Sequence, residues 1–122
     1  MKATSILIVD SNARSRESLE KLVEHAGHRP LVARTGPEAL ALISNLRPLA
    51  VLLDLDQLGE EAFHLLRELT LAGTDTLAIA LSSASEPDRI VRAIRAGAID
   101  YLAKPLSSQA LLTTLKRALV QV

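Results

Sequence analysis

Short, continuous runs of aliphatic residues recur along the chain. The three strongest lie at residues 6–9, 50–53 and 77–81, and each is apolar at every position rather than at alternate positions. Such runs are typical of strands that are buried on both faces of a parallel sheet. Two weaker runs, at residues 31–33 and 99–102, predict a second and a fifth strand.

Residues with helical spacing lie between these runs and predict five helices. The first helix carries Leu19, Leu22, Val23 and Ala26 on one face, and Gly27 can end it with a positive φ. The other four are bounded by capping or terminating residues: Thr35-Gly36-Pro37-Glu38 opens the second, Gly73 closes the third at residues 60–72, Ser85-Glu86-Pro87-Asp88 starts the fourth, Gly97 ends it, and Ser107 or Ser108 caps the fifth.

The predicted order is a strand followed by a helix, five times over. Right-handed crossovers between parallel strands place helices on both faces of the sheet, so the sequence predicts an α/β sandwich around a five-stranded parallel sheet. The chain has no interior linker, no low-complexity stretch and no repeat at the sequence level. We therefore expect residues 1–122 to form one domain.

Composition excludes several classes of protein. The chain has no cysteine, which rules out disulfides and thiolate metal sites, and its 14 basic residues balance its 14 acidic ones. The zero net charge and an aromatic content of 2% argue against binding of nucleic acid. No apolar run is long enough to span a bilayer, and no secretory signal is predicted. We expect a cytoplasmic protein with no membrane partner.

Polar residues follow the strong strands. Asp10 comes after the first, Asp54 and Asp56 after the third, Ser82 after the fourth, and Lys104 after the fifth. In an open parallel sheet, functional groups gather beyond the carboxyl ends of the strands, where the strand order reverses. We therefore expect carboxylates, a hydroxyl and an ammonium group to converge at one edge.

This set of groups suits phosphoryl transfer. Clustered carboxylates favour a hard cation such as Mg²⁺, which prefers oxygen ligands. An Asp carboxylate can attack a phosphoryl group, and the remaining requirement is positioning and neutralisation of charge. A metal ion, a lysine and a serine hydroxyl can meet that requirement.

Three segments carry a family resemblance. Residues 6–10, 48–54 and 96–106 closely resemble the receiver domains of bacterial response regulators, and the separations between these segments fit as well. The resemblance covers the whole chain. It implies a flavodoxin-like (βα)5 three-layer sandwich with strand order 2-1-3-4-5, and a switch in a two-component phosphorelay.

The resemblance also implies roles for individual residues. Asp54 would accept a phosphoryl group from a sensor histidine kinase or a phosphotransfer protein. Asp10 and Asp54 would hold Mg²⁺, and the backbone carbonyl of Asp56 would be a further ligand.

Four more residues take switch or structural positions by the same resemblance. Ser82 would hydrogen-bond the phosphoryl group, and Lys104 would pair with it. Tyr101 occupies the aromatic switch position, and the Lys104–Pro105 bond is expected to be cis.

The resemblance further implies a partner surface. The fourth helix, the fifth strand and the fifth helix would bind a second copy of the chain or an effector domain. Arg89, Arg92 and Arg95 recur every three residues on the fourth helix, and they form either a solvated face or a partner-binding stripe. Nucleic-acid binding by this domain is not expected.

The chain departs from the family pattern in two places. Ser11 stands where a second acidic residue usually binds Mg²⁺. Leu58 replaces a proline, and Gly59-Glu60-Glu61-Ala62 replaces the turn that usually follows it. We hypothesise that the carboxylate of Asp56 restores the charge lost at Ser11. Asp10 has a simpler interpretation as the cap of the first helix.

Two other functions stay open. The first is a degenerate receiver that binds a partner without phosphate, and Ser11 is its signature. The second is a phosphatase of the haloacid dehalogenase type, with Asp54 and Asp56 as nucleophile and acid, but those enzymes are larger and place the pair after the first strand. A dinucleotide-binding module is excluded because no Gly-x-Gly-x-x-Gly follows a strand.

Overall fold

The computed structural model describes residues 4–83 and 87–120. Five parallel strands form one sheet of order β2-β1-β3-β4-β5, with helices between them. The strands are β1 (Ser5–Val9), β2 (Arg29–Ala33), β3 (Ala50–Asp54), β4 (Leu77–Ser83) and β5 (Asp100–Lys104), and the helices are α1 (Ala13–His25), α2 (Gly36–Leu46), α3 (Leu55–Leu58), α4 (Glu60–Ala72), α5 (Pro87–Ala96) and α6 (Ser108–Val120). The predicted fold and strand order are confirmed.

Alternation along the central strands divides the core into two layers. Leu7 and Val9 of β1 pack on the face that α2, α4 and α5 cover, together with buried Leu66 of α4. Ile6 and Ile8 pack on the opposite face, which α1 and α6 cover. Because both faces are covered, the central strands are apolar at successive positions, as their sequence predicted.

The helix boundaries agree with the capping signals in the described residues. Thr35 accepts a hydrogen bond from the backbone of Glu38 at the start of α2. Ser107, rather than Ser108, accepts one from Ala110 at the start of α6. The predicted start of the fourth helix at Ser85 and Glu86 lies outside the described residues.

One element was not predicted. The single-turn helix α3 (Leu55–Leu58) lies between β3 and α4, and the Asp54 carboxylate caps it by accepting from the backbone N–H groups of Asp56 and Gln57. Gly59 then takes φ 58° and ψ −134°, a conformation that favours glycine, and the chain turns into α4 there. The sequence signal for this turn, an aspartate followed by four residues and a glycine, is too short to identify a helix.

Candidate functional site

The carboxyl ends of the two central strands place two aspartates side by side. Val9 of β1 pairs with Leu53 of β3, and Asp10 and Asp54 are the next residues along each strand. Neighbouring strands in a sheet lie about 4.8 Å apart, so the two acidic residues belong to the same edge. Both are almost completely buried, with exposed fractions of 0% and 1%.

Strands β4 and β5 bring a hydroxyl and an ammonium group to the same edge. Asp54 pairs with Leu81 of β4, so Ser82 follows directly beyond it. Ser83, one residue further, pairs with Lys104 of β5. Ser82 is fully buried, and its hydroxyl donates to the backbone carbonyl of Ser83 at 3.3 Å.

Lys104 is shared between two carboxylates. Its Nζ donates to Asp54 Oδ1 at 3.0 Å and to Asp56 Oδ2 at 2.9 Å. It also lies 2.8 Å from Asp54 Oδ2, although that oxygen accepts no well-oriented hydrogen bond from the described residues. Burial would lower the pKa of Lys104, but the hydrogen bonds and negative charges of Asp54 and Asp56 outweigh burial and raise the pKa above its ordinary 10.5.

Asp56 is held by two cations at once. Its Oδ2 accepts from Lys104, and its Oδ1 lies 2.9 Å from Arg89 Nη1 of α5. Burial would raise the pKa of Asp56, but the hydrogen bond from Lys104 and the charges of Lys104 and Arg89 hold it below its ordinary 3.8. Because both oxygens are engaged by cations, these contacts give no support to the hypothesis that this carboxylate replaces the charge missing at Ser11.

Asp10 has one unpartnered oxygen. Its Oδ1 accepts from the backbone N–H of Asn12 at 2.8 Å, whereas its buried Oδ2 accepts no hydrogen bond from any described residue. The N-cap of α1 is Asn12, whose side chain accepts from the backbone of Ser15. The capping interpretation of Asp10 is therefore wrong, and its buried oxygen is free for another ligand.

The oxygen donors at this edge fit a hard cation. Buried carboxylate oxygens of Asp10 and Asp54 are the kind of ligand that Mg²⁺ prefers, and main-chain carbonyls and water can complete such a shell. Ser11 is exposed and contributes no charge. Within residues 4–83 and 87–120, no cluster of three or more acidic, histidine or cysteine side chains could hold a metal ion.

Two further predicted positions lie on and after β5. Tyr101 is 41% exposed, and its backbone N–H donates to the side chain of Asp100 at 2.8 Å. The Lys104–Pro105 peptide bond is cis.

Two of the three α5 arginines form ion pairs with neighbouring elements: Arg92 stays exposed, as a solvated face requires, whereas Arg89 is 30% exposed, and a partner-binding stripe stays a prediction. Arg89 donates to the backbone carbonyl of Leu55 as well as to Asp56, so it binds α5 to α3. Arg92 places both terminal nitrogens 2.6 Å from the carboxylate of Glu60 in α4, and its guanidinium group stacks on the ring of Phe63. Sequence analysis missed these contacts because a three-residue repeat of arginine does not reveal which side of the helix faces a neighbouring loop.

A small cavity opens beside the two central groups of the site. It has a volume of about 320 Å³ and is lined by Asp54, Lys104 and Pro105 and by Leu19 and Leu22 of α1. Asp54 is thus almost completely buried yet borders an open space between α1 and the segment that follows β5.

A family model supplies the deciding comparison. The model described as "Response regulator receiver domain" matches residues 6–116, which includes every predicted site residue. The chain belongs to the response regulator receiver family. It is a receiver domain of the kind found in two-component systems.

Curated relatives of this receiver domain include longer regulators. Response regulator MprA of Mycobacterium sp. (strain KMS) is 35% identical over 114 residues, which are 93% of this chain and 50% of that protein. A protein-glutamate methylesterase/protein-glutamine glutaminase of Geobacter sulfurreducens is 33% identical over 107 residues, 86% of this chain and 29% of that enzyme. The chain spans about half the length of the first of these relatives.

Solved structures agree with the fold of this receiver domain. A response regulator from Thermotoga maritima superposes with a TM-score of 0.82 at 25% identity, over 98% of this chain and 99% of that one. NtrX from Brucella abortus gives a TM-score of 0.85 at 29% identity, over 98% of this chain and 27% of that one. In the part of the chain that the structure describes, no helix is both long and apolar enough to cross a membrane.

Proposed function

We propose that this receiver domain, formed by residues 1–122, is a switch that is controlled by phosphorylation of Asp54. The observation that carries the proposal is the ion pair between the buried Asp54 carboxylate and Lys104, next to the unpartnered oxygen of Asp10. A nucleophile, a cation and a further acidic group thus lie at one edge of the sheet. Phosphoryl transfer to a carboxylate requires such positioning and neutralisation more than covalent work by the protein.

The proposed reaction is transfer from a phosphohistidine of a sensor histidine kinase or phosphotransfer protein. An oxygen of Asp54 attacks phosphorus, the new O–P bond forms, and the bond from phosphorus to the histidine nitrogen breaks. Lys104 neutralises charge on the transferred group, and the Ser82 hydroxyl donates to one of its oxygens. Asp10, Asp54 and the Asp56 carbonyl would hold Mg²⁺, which would neutralise negative charge on the transferred group.

The output of the proposed switch is a change of surface rather than turnover of a substrate. An aspartyl phosphate carries about −1.5 to −2 charges at neutral pH in place of the single charge of the carboxylate, and the added charge draws Lys104 and Ser82 towards it. The face formed by α5, β5 and α6 then shifts between two populations, with Tyr101 as its aromatic switch residue. This face exposes apolar side chains of Val91, Ile94 and Tyr101, and we propose that a second copy or an effector domain binds there.

A labelling experiment tests the proposal. The protein is incubated with Mg²⁺ and a small acyl phosphate, and its mass is measured. We expect a gain of one phosphoryl group in the wild type and no gain in Asp54→Ala. Retention of the gain in Asp54→Ala would assign the phosphoryl group to another residue.

A phosphate-independent interaction module is the second candidate. Two observations favour it: Ser11 is neutral, and the described residues contain no cluster of three or more acidic, histidine or cysteine side chains that could hold a metal ion. Comparison with Ser11→Asp separates the two functions. If the wild type takes no label and Ser11→Asp does, the natural chain works without phosphate on an otherwise competent site.

A further inference from the structure

The carboxylate of Asp56 links two cations that come from different parts of the fold. Lys104 at the end of β5 lies 2.9 Å from Oδ2, and Arg89 of α5 lies 2.9 Å from Oδ1. Arg89 is also fixed by the backbone carbonyl of Leu55, within the turn that contains Asp56. The three side chains are each between 26% and 31% exposed, so water screens these pairs only in part.

Lys104 is therefore divided between two anions before any phosphoryl group arrives. Its ammonium group has three N–H donors, and it already contacts Asp54 at 3.0 Å and Asp56 at 2.9 Å. A phosphoryl group on Asp54 presents three acceptor oxygens and almost two negative charges to the same ammonium group, in place of the single charge of the carboxylate. Each hydrogen bond that Lys104 keeps to Asp56 is one that it cannot give to the phosphoryl group.

We propose that Asp56 competes with the phosphoryl group for Lys104, and that Arg89 sets the strength of this competition by holding the other oxygen of Asp56. The inference rests on the proposed function, since it assigns regulation to the same site. In the unphosphorylated domain, Asp56 stabilises the resting position of Lys104. Arg89 neutralises part of the charge on Asp56 and so weakens the ion pair between Asp56 and Lys104. Lys104 then exchanges Asp56 for a phosphoryl group more easily.

This mechanism gives the two members of one salt bridge opposite effects. Loss of the charge at Asp56 releases Lys104 and strengthens binding of a phosphoryl group. Loss of the charge at Arg89 leaves Asp56 with Lys104 as its remaining cation and weakens binding of a phosphoryl group. In this mechanism Arg89 acts on Lys104 through the charge of Asp56, so its removal should have no effect on binding once that charge is gone.

The test is a double-mutant cycle with beryllium trifluoride, which binds a carboxylate oxygen in place of a phosphoryl group. Its dissociation constant is measured by fluorine NMR at saturating Mg²⁺ for the wild type, Asp56→Asn, Arg89→Gln and the double variant. We expect binding to be about two- to fivefold tighter in Asp56→Asn and about two- to fivefold weaker in Arg89→Gln, the range given by partly exposed ion pairs. The double variant should match Asp56→Asn.

Arg92→Gln is the matched control, because it removes the same charge from the next turn of α5 without a contact to Asp56. It should leave the dissociation constant unchanged. Asp56→Ser, which also lacks the charge, should reproduce the gain seen in Asp56→Asn.

The cycle separates the competition from long-range electrostatics. If Arg89→Gln weakens binding equally with and without the Asp56 charge, Arg89 acts as a general positive charge and the inference is overturned. Weaker binding in Asp56→Asn would overturn it as well. If the wild type neither binds the mimic nor takes label from an acyl phosphate, the proposed function fails and the inference fails with it. If the wild type binds the mimic but the effects of the Asp56 and Arg89 substitutions are additive, the inference alone is overturned.

Discussion

Lys104 Nζ donates a hydrogen bond to Asp54 Oδ1 at 3.0 Å, although the two residues are 50 positions apart in the sequence. The contact exists because β3 and β5 flank β4 in the sheet and end at the same edge. It joins the proposed nucleophile to the cation that would neutralise its phosphoryl group. The proposal that this receiver domain is a phosphorylation switch depends on that pairing.

The first prediction concerns the metal. Ser11→Asp returns a second carboxylate to the loop after β1, and we expect Mg²⁺ affinity to rise by roughly tenfold because ligand charge is a main determinant of affinity for hard cations. Titration calorimetry measures the change. Ser44→Asp is the control, since it adds the same charge on the exposed surface of α2. Equal gains in the two variants would mean that Ser11 is not part of the metal site.

The second prediction concerns the pH dependence of stability. The pKa of Asp56 is lowered in the folded chain, so its charge stabilises the fold above its ordinary 3.8, and this contribution is lost as pH falls through the folded value. Between about pH 5 and about pH 3, the free energy of unfolding in urea should therefore fall more in the wild type than in Asp56→Asn. Parallel curves for the two proteins would contradict the ion pairs described for Asp56.

Deprotonation of Lys104 limits the stability that its ion pairs contribute at alkaline pH. Its pKa is raised by folding, so its contribution is fully present below its ordinary 10.5 and is lost as pH rises through the folded value. The stability contributed by the ion pair of Asp56 and Lys104 should therefore be greatest between the folded-state pKa values of these two residues. Unfolding measured at alkaline pH completes the profile.

The third prediction concerns the turn before β5, the strand that carries Lys104. Gly97 has φ 127°, and a Cβ there would overlap the hydroxyl of Thr70, so Gly97→Ala should lower the free energy of unfolding by about 3 kcal/mol. Gly27→Ala is the control: φ is 86°, but nothing lies within 4 Å, and the cost should be about 1 kcal/mol. Chemical denaturation measures both.

A second variant shows whether the stability lost in Gly97→Ala comes from overlap with Thr70 or from strain in the backbone at position 97. Thr70→Ala removes the hydroxyl that Gly97→Ala would meet, and part of the lost stability should return in the double variant. If the double variant is as unstable as the sum of the single ones, the contact with Thr70 is not the cause.

Much of the fold could be predicted because its signals are local and repeated. The continuous apolar runs identify the strands, and Thr35 and Gly73 mark helix ends where the structure has them. The strands themselves extend one or two residues beyond the apolar runs, as β4 does to Ser83. Those last residues are polar because they lie at the edge of the sheet, so hydrophobicity does not identify them.

The assembly of the site was predictable only as far as topology determines it. Parallel strands end at one edge, which is sufficient to place Asp54 and Lys104 together. The helical turn at Leu55–Leu58 and the contact of Arg89 with Asp56 were missed, because they depend on how one loop approaches the start of a helix. An arginine repeat and an acidic loop residue carry no sequence signal for that approach.

The most direct test of the account is to identify the residue that carries the phosphoryl group. The protein is labelled by a small acyl phosphate in the presence of Mg²⁺. Borohydride then reduces the aspartyl phosphate formed on the protein to homoserine, and the peptides are sequenced by mass spectrometry. The account predicts homoserine at position 54 and at no other aspartate. Homoserine at position 10 or 56, or none in a protein that retains its fold, would contradict it.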